Sequence, residues 1–207
     1  MGFYEERVLP RLVDLCCGGK GFDKLRARVC APLEGEVLEV GFGSGRNVPH
    51  YPSAVSRVLA VDPSQRGRQL ARRRLADSPV PVEFVGLDGQ QLPLQDASAD
   101  HVLCTWSLCT IPDASQALRE MRRVLRPGGQ LHFIEHGLAP SAAVAKWQRR
   151  LNPIQRRVAG GCHLDRPIDA LVSGAGFDLT ACATYYAGHP KAFTFFYEGR
   201  ATPRPAR

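Results

Sequence analysis

The chain has 207 residues, 44% of them hydrophobic and 23% charged, which is ordinary for a soluble globular protein with one domain and a sizeable core. No window approaches the ~20 apolar residues that cross a bilayer, and Glu5 and Glu6 stand where a signal peptide would carry its apolar core, so the expectation is a cytoplasmic protein. The net charge of +7 rests mostly on arginine, clustered at 66–74 and 149–157; without aromatic interleaving or a nucleic-acid module these clusters read as solvated helix faces, with no nucleic-acid partner. Seven cysteines without a CxxC pair suit reduced thiols rather than a disulfide framework, and the adjacent Cys162 and His163 lack the second pair that a zinc site needs, so no metal is expected.

In chain order, residues 3–16 read as an amphipathic helix stopped by Gly18-Gly19, and a short helix around 22–30 leads to Pro32. Strands and helices then alternate: strands at about 36–41 and 57–62, a helix capped by Ser64, and strands at about 81–86 and 100–105. A helix follows with Ala114, Ala117, Leu118, Met121, Val124 and Leu125 at helical spacing. Asp113 and Gln116 resemble a capping box, and Pro127-Gly128-Gly129 ends the helix before a strand at about 130–136. Residues 141–158 carry Val144, Trp147, Leu151, Ile154 and Val158 on one stripe, and Pro153 should kink or split that helix. A helix at about 166–174 precedes two strands, about 178–186 and 191–199, whose tight connection makes them antiparallel, with a loose tail from Ala201. Alternation of this kind implies a parallel sheet with helices on both faces, and ligands bind beyond the carboxyl ends of its strands.

Two of those strand ends carry chemistry. Gly41, Gly43 and Gly45 form GxGxG, and a dinucleotide fingerprint would need its last glycine where Arg46 stands. No lysine–serine or lysine–threonine pair follows the turn, which excludes a P-loop. Asp62 ends the second strand, where a carboxylate accepts from both ribose hydroxyls. Glu39 either anchors the glycine loop or reaches a ligand amino group. Asp88-Gly89-Gln90 either reads an adenine edge or forms an Asx turn. The spacing favours S-adenosyl-L-methionine over a dinucleotide.

The set LEVGFGSGRN, VLAVDPS, GLDGQQLPLQDASADHVLCTWSLC and LREMRRVLRPGGQLHFIEH resembles the small-molecule branch of the S-adenosylmethionine-dependent class I methyltransferases, which includes quinone methyltransferases, over roughly residues 36–136. A closer similarity is to the microsomal thiol S-methyltransferases. It rests on Asn47 with Tyr51-Pro52, Cys104-Thr105 with Leu108-Cys109, Glu135-His136, and Gly161-Cys162-His163-Leu164 followed by Arg166, and extends to about residue 177. The resemblance implies a seven-stranded Rossmann-like sheet, mostly parallel with the last strand antiparallel. It also implies cofactor contacts from Glu39, Gly41, Gly43, Gly45, Asp62, Asp88, Gly89 and Gln90, with Phe42, Asn47, Pro63 and Ser64 in the same turns and Cys104 and Thr105 beside the methionine part. The microsomal enzymes carry an apolar N-terminal anchor, and nothing comparable precedes residue 36. Residues 3–16 suit a lid, a core-packing helix or a weak peripheral membrane contact.

The whole chain is expected to be one methyltransferase domain, with 1–34 as a helical lid and 137–170 as a helical acceptor-side insertion. The expected reaction is methylation of a small, fairly apolar acceptor, a thiol first. A thiolate is the nucleophile, and the free-thiol pKa of about 8.5 calls for a base or a positive charge nearby. His136 and His163 are the candidate bases, and Arg166 is the candidate for stabilising an anion. Tyr4, Trp106, Cys109 and Cys162 are the candidate acceptor-side residues. The alternatives are a quinone, amine or phospholipid-headgroup acceptor, a non-catalytic S-adenosylmethionine-binding regulatory protein, and a hydride-transferring dehydrogenase.

Overall fold

A computed structural model describes residues 7–205, apart from the side chains at 12, 13 and 16. Tyr4 therefore lies outside the described residues, as does the start of the expected first helix. Seven strands, β1 (Gly35–Val40), β2 (Val55–Val61), β3 (Val82–Gly86), β4 (Ala99–Thr105), β5 (Leu125–His136), β6 (Phe177–Tyr186) and β7 (Phe195–Pro203), form one sheet in the order β3-β2-β1-β4-β5-β7-β6. The pairs among β1–β5 are parallel, and β7 runs antiparallel to both β5 and β6. The helices are α1 (Leu9–Cys16), α2 (Lys20–Cys30), α3 (Gln65–Ala76), α4 (Ala114–Val124), α5 (Ala142–Val158) and α6 (Ile168–Gly174).

Alternation along each strand divides the core into two layers. Val37, Val58, Ala60, Leu103 and Ile134 pack with Val29, Cys30 and Ala71 of α2 and α3. Their neighbours Leu38, Leu59, Val102 and Phe133 point the other way, against Leu118, Met121, Ile168 and Val172 of α4 and α6. The expected seven-stranded α/β sheet is thus present, with helices on both faces. The strand order reverses between β1 and β4, so their carboxyl ends open a crevice at the switch point.

Ser64 caps α3 by accepting from the Gly67 N–H at 2.9 Å, as its position predicts. Asp113 caps α4 through the Gln116 N–H at 2.9 Å, but the Gln116 amide turns to the Gln90 carbonyl at 3.4 Å, so half of the capping box forms.

Three expectations are corrected, and the orientation of the α5 stripe is decided. β5 begins at Leu125 rather than near 130, because Leu125 already pairs with Ala99 before a bulge. The second closing strand runs on to Pro203, because Ala201, fully buried, pairs with both Leu131 and Leu179; the loose tail is shorter than expected. α5 passes through Pro153 without splitting: a proline removes one intrahelical bond, and the rest of a 17-residue helix holds. The α5 stripe is exposed at Trp147, Ile154 and Val158, while Val144 packs against the core. Trp147 is 57% and Ile154 61% exposed, whereas Ala145 and Gln148 are buried. Gln148 sets that rotation, with its amide donating to the Gly137 and Ala192 carbonyls and its oxygen accepting from the Ala139 N–H. No helix among the described residues is long and apolar enough to cross a membrane.

Candidate active site

The glycine loop leaves β1 at Gly41, where a Cβ would fall 1.7 Å from the Ser107 hydroxyl. The missing side chain lets the β1 turn and the loop after β4 touch. Gly43 has φ +57°, and only the Gly41 carbonyl, at 3.9 Å, lies near the position of its absent Cβ. Asp62 spans the two turns: Oδ2 accepts from the Gly43 N–H and Oδ1 from the Ser64 N–H, each at 2.7 Å. Burial pushes its pKa up, against the pull of those two N–H groups. Each carboxylate oxygen keeps a second acceptor position. Pro63 between them is exposed, whereas the Phe42 ring turns inward and packs edge-on against Phe84 at 5.1 Å, so the loop offers only its backbone there.

Beneath this edge lies a buried polar network. The Glu39 carboxylate, 1% exposed, accepts from the Asn47 amide at 3.0 Å and from the Tyr51 hydroxyl. Asn47 also donates to the Thr105 hydroxyl at 3.0 Å and accepts from the Arg26 guanidinium at 2.7 Å. Burial lifts the Glu39 pKa to about 7 despite these partners. Both Glu39 oxygens therefore hold the segment after the glycine loop, and Thr105 ties it to the end of β4. Cys104, fully buried, points its thiol at Glu135 instead.

Asp88 and Gln90 form a side-chain-closed turn, with Asp88 Oδ1 accepting from the Gln90 N–H at 2.8 Å. The Gln90 oxygen accepts from the Asp113 N–H at 2.8 Å, which clips this turn to the start of α4. Gly89 lies over the end of β1, where a Cβ would fall 2.7 Å from Val40.

Arg46, the residue that breaks the dinucleotide pattern, clamps α1. Its guanidinium donates to the Asp14 carboxylate at 2.7 and 2.9 Å and to the Asp14 carbonyl at 2.7 Å. A Cβ at Gly160, just past α5, would meet Leu9 at 2.7 Å. α1 thus reaches from the glycine loop to the acceptor-side insertion.

The insertion and the end of β5 meet at the loop after β4. Glu135, fully buried at the end of β5, accepts from the Ser107 N–H at 2.9 Å and the Cys109 N–H at 3.1 Å and fixes that loop. Burial raises its pKa to about 7. Cys162 Sγ lies 3.7 Å from Cys109 Sγ and 3.9 Å from His136 Nδ1, near the outer limit for a sulfur hydrogen bond. The bond to Cys109 and the His136 imidazole pull Cys162 well below the ordinary thiol range, while the bond to Cys162 and burial push Cys109 up. His136 Nε2 is buried without a partner, and so is Trp106 Nε1. The Phe196 ring stands between the two side chains, 6.2 Å from His136 and 5.8 Å from Trp106. His163 Nδ1 approaches the Cys109 carbonyl at 3.1 Å. Arg166 donates to the carbonyls of Leu108, Ile111 and Pro112, so three of its five N–H groups shape the loop.

Sequence reasoning passed over Arg26, Tyr51, Glu135 and Phe196 as site residues. Arg26 had a signal: it occupies the apolar stripe Phe22, Leu25, Val29 and Cys30, where a charge must find a buried partner. Its guanidinium also covers the Trp106 ring at 4.6 Å. Phe196 had none, because its place follows from β7 inserting between β5 and β6.

Comparison with known proteins agrees with this geometry. Residues 38–133 match a family model described as a methyltransferase domain. The chain is 37% identical over 134 residues to thiol S-methyltransferase TMT1B of Rattus norvegicus, covering 63% of this chain and 54% of the relative. It is 33% identical over 120 residues to a demethylmenaquinone methyltransferase of Clavibacter sepedonicus, covering 58% and 49%. The chain thus spans about half the length of these curated relatives. A crystal structure of an S-adenosylmethionine-dependent methyltransferase from Thermotoga maritima superposes with a TM-score of 0.69 at 24% identity, over 97% of this chain and 98% of that one.

Proposed function

We propose that the chain is an S-adenosylmethionine-dependent methyltransferase that methylates the sulfur of a small, fairly apolar thiol, a reading supported by the methyltransferase-domain match over residues 38–133 and by the thiol S-methyltransferase relatives. The residues present fit the cofactor: Asp62 retains an open acceptor position on each oxygen, and Gly43 leaves the loop surface clear of side chains. Asp62 would hold the ribose, the turn Asp88–Gly89–Gln90 the base, and the β4 end at Thr105 the amino-acid part. S-adenosylmethionine, when bound, supplies an activated methyl group.

The observation that carries the acceptor reading is the orphaned His136 Nε2 beside a thiol pair. An anionic Cys162 sulfur accepts from His136 Nδ1–H and leaves Nε2 as the basic atom, the role a carboxylate plays in an acid–base triad. That nitrogen takes the proton of an incoming thiol, and the Phe196 and Trp106 rings give an apolar acceptor its walls. Cys109 Sγ, 3.7 Å from Cys162 Sγ, shares the hydrogen bond that lowers Cys162. The Clavibacter relative favours a second reading, a phenolic quinol, which the same nitrogen could deprotonate.

The test is transfer of labelled methyl to a thiol panel and, in parallel, to a reduced quinone. Thiol methylation abolished by His136→Gln, with cofactor affinity retained, supports the reading. Transfer to the quinol alone replaces the acceptor. Cofactor binding without transfer to anything would favour a non-catalytic binding protein, and dinucleotide binding alone would revive hydride transfer.

A further inference from the structure

The outward face of α5 combines two features that the methyl-transfer reading does not use. The first is an apolar stripe. Trp147 and Ile154 lie seven residues apart on one side of the helix and are 57% and 61% exposed. Beside them, Phe193 in the β6–β7 connection is 38% exposed, and a groove of about 320 Å3 runs between Val144, Trp147, Leu151, Pro190 and Phe193.

The second feature is charge. α5 carries Lys146, Arg149, Arg150, Arg156 and Arg157, and no acid occurs anywhere between Glu135 and Asp165. None of these five cations forms an ion pair among the described residues. At roughly 100° per residue, Lys146, Arg150 and Arg157 flank one side of the stripe, and Arg149 and Arg156 stand on the other side of the helix. Other arginines of the chain do form ion pairs, as Arg46 with Asp14, Arg123 with Glu120 and Arg126 with Asp100.

We propose that α5, with Phe193 beside it, is a docking face for an anionic lipid bilayer. A helix with tryptophan and isoleucine on one side and unpaired basic residues around them lies in the plane of a membrane interface. Its apolar side chains enter the acyl boundary and its cations meet the lipid phosphates. Three cations strung along one edge of an apolar stripe, over three turns of helix and with no acid among them, match an extended sheet of negative charge better than one acidic peptide. Arg156 and Pro153, away from the stripe, line a separate cleft of about 440 Å3 with Thr110, Gly161 and His163. The inference goes beyond the choice of acceptor and stands without it.

The test is co-sedimentation of the full chain with phosphatidylcholine vesicles, with and without phosphatidylserine, at low and high salt. The expected result is binding to the phosphatidylserine vesicles that weakens with salt. Trp147→Ser with Ile154→Ser should cut it roughly tenfold or more, and Lys146→Ala with Arg150→Ala roughly fivefold per cation removed. Unfolding midpoints that match the parent chain show that both variants are folded. A parent chain that ignores phosphatidylserine overturns the proposal, and so do variants that bind as well as the parent. If the Trp147/Ile154 variant instead converts a dimer to a monomer while vesicles have no effect, the face belongs to a second copy of the chain. Methyl transfer to a soluble thiol is measured separately, so loss of vesicle binding and failure of the acceptor reading are distinguishable.

Discussion

The cofactor edge and the acceptor side of this molecule differ in how far their buried polar groups are satisfied. At the cofactor edge, hydrogen bonds among Glu39, Asn47, Thr105 and Arg26 join β1, β4 and α2, with Arg26 Nε the atom of that set left over, and Asp62 separately ties the turns after β1 and β2. On the acceptor side, His136 Nε2 and Trp106 Nε1 are buried without partners, and two thiols share a site with an imidazole. A satisfied network holds a shape before any ligand arrives. An orphaned donor or acceptor costs stability and persists where something else completes it. The contrast supports the proposal that one side binds the cofactor and the other carries the chemistry.

The largest expected break in that contrast is Asp62→Ala. It removes the acceptor for the ribose and for two loop N–H groups together, so cofactor affinity should fall by about a thousandfold, read by calorimetry. Retained affinity would place the nucleoside elsewhere. Next is Cys162→Ser, which leaves His136 Nδ1 without its anionic partner. Turnover should fall about a hundredfold, and the pH–rate profile should shift while cofactor affinity stays. An unchanged profile would reduce Cys162 to packing.

Arg26→Ala should destabilise the fold by about 2 kcal/mol in urea titration, because Asn47 loses its donor and the Trp106 ring its cover. The smallest effect concerns the far end of the sheet. His101 Nδ1 and His132 Nε2 meet there at 3.0 Å, and burial followed by the His101 charge pushes His132 down to about 3. With the folded value below an unfolded value of about 6.5, its contribution is full above about 6.5 and is lost as pH falls toward the folded value. The stability difference between the parent chain and His132→Gln should therefore shrink from pH 7 to pH 5. Glu39 and Glu135, both raised to about 7, act in the opposite sense, with contributions lost as pH rises through that value.

The cofactor edge was legible in advance because its signals are local. Apolar runs ending in Glu39-Val40-Gly41 and Val61-Asp62 place an acid and a turn at fixed distances along the chain, and Ser64 caps the helix that follows. The acceptor side was only partly legible. Cys109, His136, Cys162 and His163 could be singled out, but their meeting depends on β5, the loop after β4 and the stretch beyond α5 converging. Arg166 shows the limit of residue type as a guide: a guanidinium that suits an anion instead holds three backbone carbonyls. The rotation of α5 was not legible, because its stripe would suit a buried face equally well, and Gln148 decides the matter through partners in two other segments.

By itself the sequence determined the alternation of strands and helices, the glycine turn and the acids at two strand ends, since periodicity, caps and turn residues act over a few neighbours. Only the tertiary structure decided the insertion of β7 between β5 and β6, the proximity of Cys162 to His136, and the outward face of Trp147 and Ile154. Those three depend on contacts between residues far apart in the chain, where long-range packing and the satisfaction of buried hydrogen bonds outweigh local preference.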